Sequence, residues 1–144
     1  MPSSYETFFD NESFAVVGHS ARRAFPALTY GALKKNGKRV FAIDPEAETI
    51  EGDPAYADFE ALPEKVQAVV VEVPREETLD WVEKAAQAGI SELWIHANTG
   101  SPEALALARE KGMAVRHGTC AVQYLDKGFP HNLHAFVRKL FRQY

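Results

Sequence analysis

Residues 13–26 read S-F-A-V-V-G-H-S-A-R-R-A-F-P. A short apolar run stops at Gly18, turns polar and basic, and then meets a proline at position 26. Such a run suits a strand buried on both faces of a parallel sheet. Proline is tolerated in the opening turn of a helix, because its missing N–H has no intrahelical partner there. The stretch therefore reads as strand, loop and helix, the start of a β-α-β unit, with Gly18 at the carboxyl end of the strand.

The same alternation continues along the chain. Strands are predicted at residues 13–17, 38–43 (K-R-V-F-A-I), 67–73 (Q-A-V-V-V-E-V), 92–95 (E-L-W-I) and 113–115. One helix should run from near Pro26 to Asn36-Gly37, where glycine accepts the left-handed conformation. A second carries Leu79, Val82 and Ala86 on one face and stops at Gly89. A third opens at Ser101-Pro102-Glu103, a cap, a first-turn proline and a carboxylate at the positive end of the dipole, and stops at Gly112. Ser3 and Glu6 have capping-box spacing ahead of Phe8 and Phe9. Near the C-terminus Leu133, Phe136, Val137, Leu140 and Phe141 form an apolar helical stripe beside Arg138, Lys139 and Arg142, read as a closing helix, with a homodimer surface as the alternative. The expected fold is α/β: a single domain over residues 1–144, with a doubly wound, five-stranded parallel sheet of the Rossmann-like kind and flanking helices.

Composition narrows the function classes. The 144 residues are 46% hydrophobic and 25% charged, enough for one core. A formal net charge of −4 supplies no global field for a polyanion. Nucleic acid is therefore not an expected partner, and an anionic ligand must be held by local groups. The single cysteine, Cys120, leaves no internal disulfide, and M-P-S-S-Y-E-T-F-F-D lacks the basic and apolar regions of a signal peptide. No apolar run approaches the roughly 20 residues that cross a bilayer. A soluble, cytoplasmic protein without a membrane partner is expected.

In doubly wound sheets ligands bind outside the carboxyl ends of the strands, where strand order reverses. Gly18 sits at such an end. A dinucleotide fingerprint starting there would need glycine at positions 20 and 23, which hold Ser20 and Arg23. That argues against an ordinary NAD site, yet leaves a hydroxyl and backbone N–H groups for a phosphate. Arg22 and Arg23 place two guanidinium groups in the same loop, a reasonable phosphate clamp.

These residues, with the Val73-Pro74 exit of the third predicted strand, the A-N-T-G exit of the fourth and the late Cys120, resemble the stand-alone CoA-binding proteins. Those are relatives of the N-terminal CoA-binding domain of the succinyl-CoA synthetase alpha subunit. The resemblance runs from Phe14 to the terminal helix. It implies coenzyme A, or an acyl-CoA, as the small-molecule ligand. It further implies that Gly18, His19 and Ser20 meet the CoA phosphates, that Asp44 and Pro45 border the pocket, that Val73 and Pro74 flank the adenine or ribose, and that Ala97, Asn98 and Thr99 line the pantetheine side. The synthetase depends on a second domain with a phosphorylated histidine and on a partner subunit; this chain has no residues left for either. A binding module is expected, not a complete enzyme.

Asp44 pulls the other way, since a carboxylate near the CoA 3′-phosphate is repulsive, while an acid ending the second strand suits the ribose of a dinucleotide. An NAD(P)-binding oxidoreductase or redox-sensing domain is thus the alternative, and a partner-binding protein the third reading. The five histidines include no helical H-x-x-x-H pair, and His131 with His134 has no nearby third ligand, so no metal is expected. Cys120 has no adjacent cation to activate it and is not read as a nucleophile. Glu72, a charge inside V-V-V-E-V, is expected at an exposed strand end or beside a cation such as Arg75 or a histidine.

Overall fold

The computed structural model describes residues 8–21, 25–96 and 100–117. Its strands are β1 (Ser13–Gly18), β2 (Arg39–Ile43), β3 (Thr49–Ile50), β4 (Asp53–Tyr56), β5 (Ala68–Glu72), β6 (Glu92–Ile95) and β7 (Ala114–Arg116). The helices are α1 (Phe25–Lys35), α2 (Arg75–Gln87) and α3 (Pro102–Glu110), with single 3-10 turns at Phe8–Asp10 and Phe59–Ala61. All five predicted strands form, shifted at their ends by no more than one residue.

The strand count and the pure parallel sheet need correction. Over the described residues the sheet has seven strands in the order β3-β4-β2-β1-β5-β6-β7 and is mixed, because β3 runs antiparallel to β4 while every other pair is parallel. The missing pair is a tight hairpin turning through Glu51 and Gly52, both at positive φ (50° and 83°), as the favoured two-residue hairpin turn requires. Its second strand, D-P-A-Y, carries none of the β-branched density that marks a strand locally. Pairing with β2 and a side-chain tie hold it instead: Tyr30 Oη donates to Asp53 at 2.6 Å, and Lys34 pairs with the same carboxylate.

Alternation along the central strands sorts the core into two layers. Ala15 and Val17 of β1, Val69 and Val71 of β5, and Leu93 and Ile95 of β6 pack against Trp81, Val82 and Ala85 of α2 and Ala104 and Ala108 of α3. Phe14, Val16, Val70 and Trp94 face the opposite layer with Ala32 and Leu33 of α1 and Phe8. Helices thus cover both faces. The face predicted for α2 is rotated: Thr78, Trp81, Val82 and Ala85 are buried, while Leu79 is 40% exposed. Trp81 decides this, because its ring packs edge-on against Phe59 at 6.1 Å and carries Lys84 Nζ 4.4 Å from its centre. Ser101 caps α3 as predicted, accepting from Ala104 N–H at 3.2 Å. The Ser3/Glu6 capping box, Cys120, His131, His134 and the C-terminal stripe lie outside the described residues.

Strand order reverses between β1 and β5: the chain leaves β1 for β2 on one side and later continues through β5, β6 and β7 on the other. The reversal places Gly18 directly opposite Glu72 in register.

Candidate binding site

Gly18 ends β1 on the side that α1 covers. A Cβ there would collide with Pro26 Cγ and lie 2.7 Å from the carbonyl oxygen of Glu72. The glycine thus makes room for the first turn of α1 against the strand pair at the reversal point.

The next residues are tied down by acids. Ser20 donates twice to Asp44 Oδ2, through its N–H at 2.9 Å and its hydroxyl at 2.6 Å, while Asp44 Oδ1 accepts from the Glu46 N–H at 2.9 Å. Asp44 is buried and turned inward, and its bonds pin the loop after β1 to the loop after β2. In this structure both Ser20 donors go to Asp44, and both Asp44 oxygens are engaged within the protein. His19 is buried between two further acids, with Nε2 2.7 Å from Glu77 Oε1 of α2 and Nδ1 3.3 Å from Glu46 Oε1. Its ring stitches the β1 loop to both sides of the reversal point.

Val73 and Pro74 divide the role expected of them. The Val73 side chain is buried in the core, whereas Pro74 stands half-buried as the N-cap residue of α2 with no side-chain cap. Pro45 is exposed beside Asp44. Arg22, Arg23, Ala97, Asn98 and Thr99 lie outside the described residues; they follow Ser20 and His96, both of which are at the carboxyl edge.

Sequence reasoning noted Glu72 but did not bring it together with His96. Glu72 is fully buried, which overturns the exposed strand end but keeps the histidine partner: Thr29 Oγ1 donates to Glu72 Oε2 at 2.7 Å, and His96 Nδ1 stands 3.6 Å from the same oxygen. Burial pushes the Glu72 carboxyl up to about 8, opposed in part by the Thr29 hydrogen bond, and pulls the His96 imidazole down to about 3. The signal available in sequence was one polar residue closing each of two apolar runs, V-V-V-E and L-W-I-H.

Among the described residues, open space is seen at the opposite edge. A cleft of about 340 Å³, lined by residues such as Phe59, Leu62, Lys65, Val66 and Ile90, sits at the amino ends of β5 and β6. It faces the amino ends of strands and Ala88 at the C-terminal end of α2, rather than strand carboxyl ends, so the carboxyl edge remains the candidate site. Among the described residues, no group of His, Cys, Asp and Glu side chains is arranged to hold a metal ion, and no helix is long and apolar enough to cross a membrane.

A mostly parallel α/β sheet with polar groups gathered where strand order reverses is an arrangement in which such sheets commonly bind small molecules. The sequence model of the family described as CoA binding domain matches residues 12–125, and the chain belongs to that family. Among solved structures it is similar to a hypothetical protein from Pyrococcus horikoshii OT3, with 24% identity and a TM-score of 0.76 over 85% of this chain and 89% of that one. A conserved hypothetical protein from Pyrococcus furiosus is 27% identical, with a TM-score of 0.70 over 77% of this chain and 97% of that one. The apo form of the dinucleotide forming acetyl-coenzyme A synthetase 1 of Ca. Korarchaeum cryptofilum is 24% identical, with a TM-score of 0.66 over 78% of this chain but 27% of that one. No curated protein matches.

Proposed function

We propose that this chain, as one Rossmann-like domain over residues 1–144, binds CoA or an acyl-CoA along the carboxyl edge of its sheet. The observation that carries the reading is the family match over residues 12–125, which spans the whole described sheet. In this reading the phosphates meet backbone N–H groups beyond Gly18 and His19, together with Arg22 and Arg23. The adenosine packs on Pro74 after Val73, Ser20, Asp44 and Pro45 hold the loop in shape, and Ala97, Asn98 and Thr99 border the pantetheine arm. The first-turn amides of α2, which no side chain caps, add donors at the same edge, where a helix N-terminus favours an anion. The role is binding, with no catalytic residue assigned. The engagement of both Asp44 oxygens counts against NAD(P).

Isothermal titration calorimetry of ligand-stripped protein against CoA, with NAD, NADP and ATP in parallel, tests this. Micromolar or tighter CoA binding with little response to the others is expected. Binding of NAD without CoA would overturn it.

A further inference from the structure

Two ionisable side chains at the same edge have no part in holding the ligand as just described. Val71 and Ile95 are register partners in β5 and β6, and the His96 N–H donates to the Val71 carbonyl at 3.0 Å. One step further, Glu72 and His96 therefore emerge side by side, on the face covered by α1, where Thr29 bonds Glu72. Both are fully buried, and Glu72 Oε1 has no hydrogen-bond partner among the described residues.

Among the described residues, the groups around Glu72 supply no fixed positive charge. From α1 comes the Thr29 hydroxyl, and from the end of β6 the His96 imidazole. From β1 come Gly18 and then His19, whose ring is held by Glu77 and Glu46. In the first turn of α2, Arg75 and Glu76 are exposed to solvent, and Glu77 faces His19. A carboxylate here would be a bare charge in a low-dielectric interior, a few residues from the loop that meets phosphate.

We propose that the ligand binds the form of the protein in which Glu72 keeps its proton, so that Glu72 sets the affinity for a polyanion; this rests on the CoA-binding reading above. Loss of the proton puts a negative charge at the reversal point, directly opposite Gly18 in register. Water screens such a charge poorly, and one lying roughly 10 Å from a bound phosphate would weaken binding about tenfold. Linkage is reciprocal: the bound polyanion raises the pH at which Glu72 lets its proton go.

Calorimetric titration of CoA at about pH 6.5 and about pH 9 into the full chain and into Glu72→Gln tests the inference. The amide keeps the shape and an acceptor for Thr29 but cannot ionise. CoA affinity of the unmodified chain should fall about tenfold more than that of Glu72→Gln, whose change reports the ligand's own groups. Equal pH dependence overturns the inference. Infrared spectra of the unmodified chain give a second readout if the variant does not fold. The C=O band of a buried protonated carboxyl should vanish near pH 8 and persist to higher pH with CoA present. No such band at neutral pH, or a midpoint that CoA leaves in place, also overturns it. Failure of CoA to bind at any pH overturns the binding reading and this inference together, and differs visibly from CoA binding without a Glu72-dependent pH response.

Discussion

The two edges of the sheet offer opposite things. At the amino edge, Phe59, Leu62, Val66 and Ile90, with Glu60, Glu64 and Lys65, surround about 340 Å³ of open space. At the carboxyl edge, Asp44, Glu46, Glu77, His19 and Ser20 are knotted together, and Glu72 and His96 are sealed beneath them. Empty volume marks where the end of α2 leaves the sheet thinly covered. Chemistry gathers where strand carbonyl ends and helix N-termini meet, because parallel strands all deliver their polar exits to one side.

The largest effect that would sharpen this contrast is expected at Gly18. Gly18→Ala forces a methyl into Pro26 and the Glu72 carbonyl, and urea unfolding should show a loss of about 3 kcal/mol. A near-neutral result would mean that the carboxyl edge is looser than its contacts imply.

Next comes pH. The folded chain keeps the Glu72 proton up to about pH 8, whereas the unfolded chain releases it near 4.5, so this group lowers stability as pH rises across that window. His96 acts in the other direction between about 3 and 6.5, because the unfolded chain holds the proton that the folded chain rejects. The two offset each other between 4.5 and 6.5, and Glu72 alone acts from 6.5 to 8. Stability should therefore fall by about 2 kcal/mol over that last interval, and Glu72→Gln should abolish the fall. A flat profile in the unmodified chain would show that the pair is not sealed from water.

A smaller effect separates the edges in function. Replacing Arg22 and Arg23 together with alanine should weaken CoA binding about tenfold, about 1.4 kcal/mol. Lys65→Ala in the amino-edge cleft should leave it unchanged, and the reverse pattern in calorimetry would move the site to the cleft. Smallest is Gly31→Ala in α1, where an added Cβ meets nothing within 4 Å. It should raise stability by about 0.8 kcal/mol, a gain from helix propensity that calibrates the Gly18 loss.

Most of the fold was legible because its signals are local. The valine-rich runs, the Ser101 cap and the glycines at positive φ after each helix act within a few residues of themselves. The hairpin of β3 and β4 was not legible, since Pro54 and Asp53 carry no strand signal, and distant pairing and the tie of Asp53 to Tyr30 and Lys34 make them one. Leu79 misled for a related reason: which side of α2 faces inward was decided by the seat of Trp81 against Phe59. At the carboxyl edge, the positions of Gly18, Asp44 and Pro74 at strand ends were legible, but the Ser20 and Glu46 partners of Asp44 were not.

By itself, then, the sequence determined the alternation of strand and helix, the carboxyl-edge location of the polar loops and the family resemblance, all carried by short-range pattern. Tertiary structure alone decided that Ser20 spends its donors on Asp44, and that Glu72 and His96, each an isolated polar residue in the chain, become neighbours in one buried cell. Those encounters depend on strand register and on α1 closing over Gly18, and no residue carries that information without the others in place.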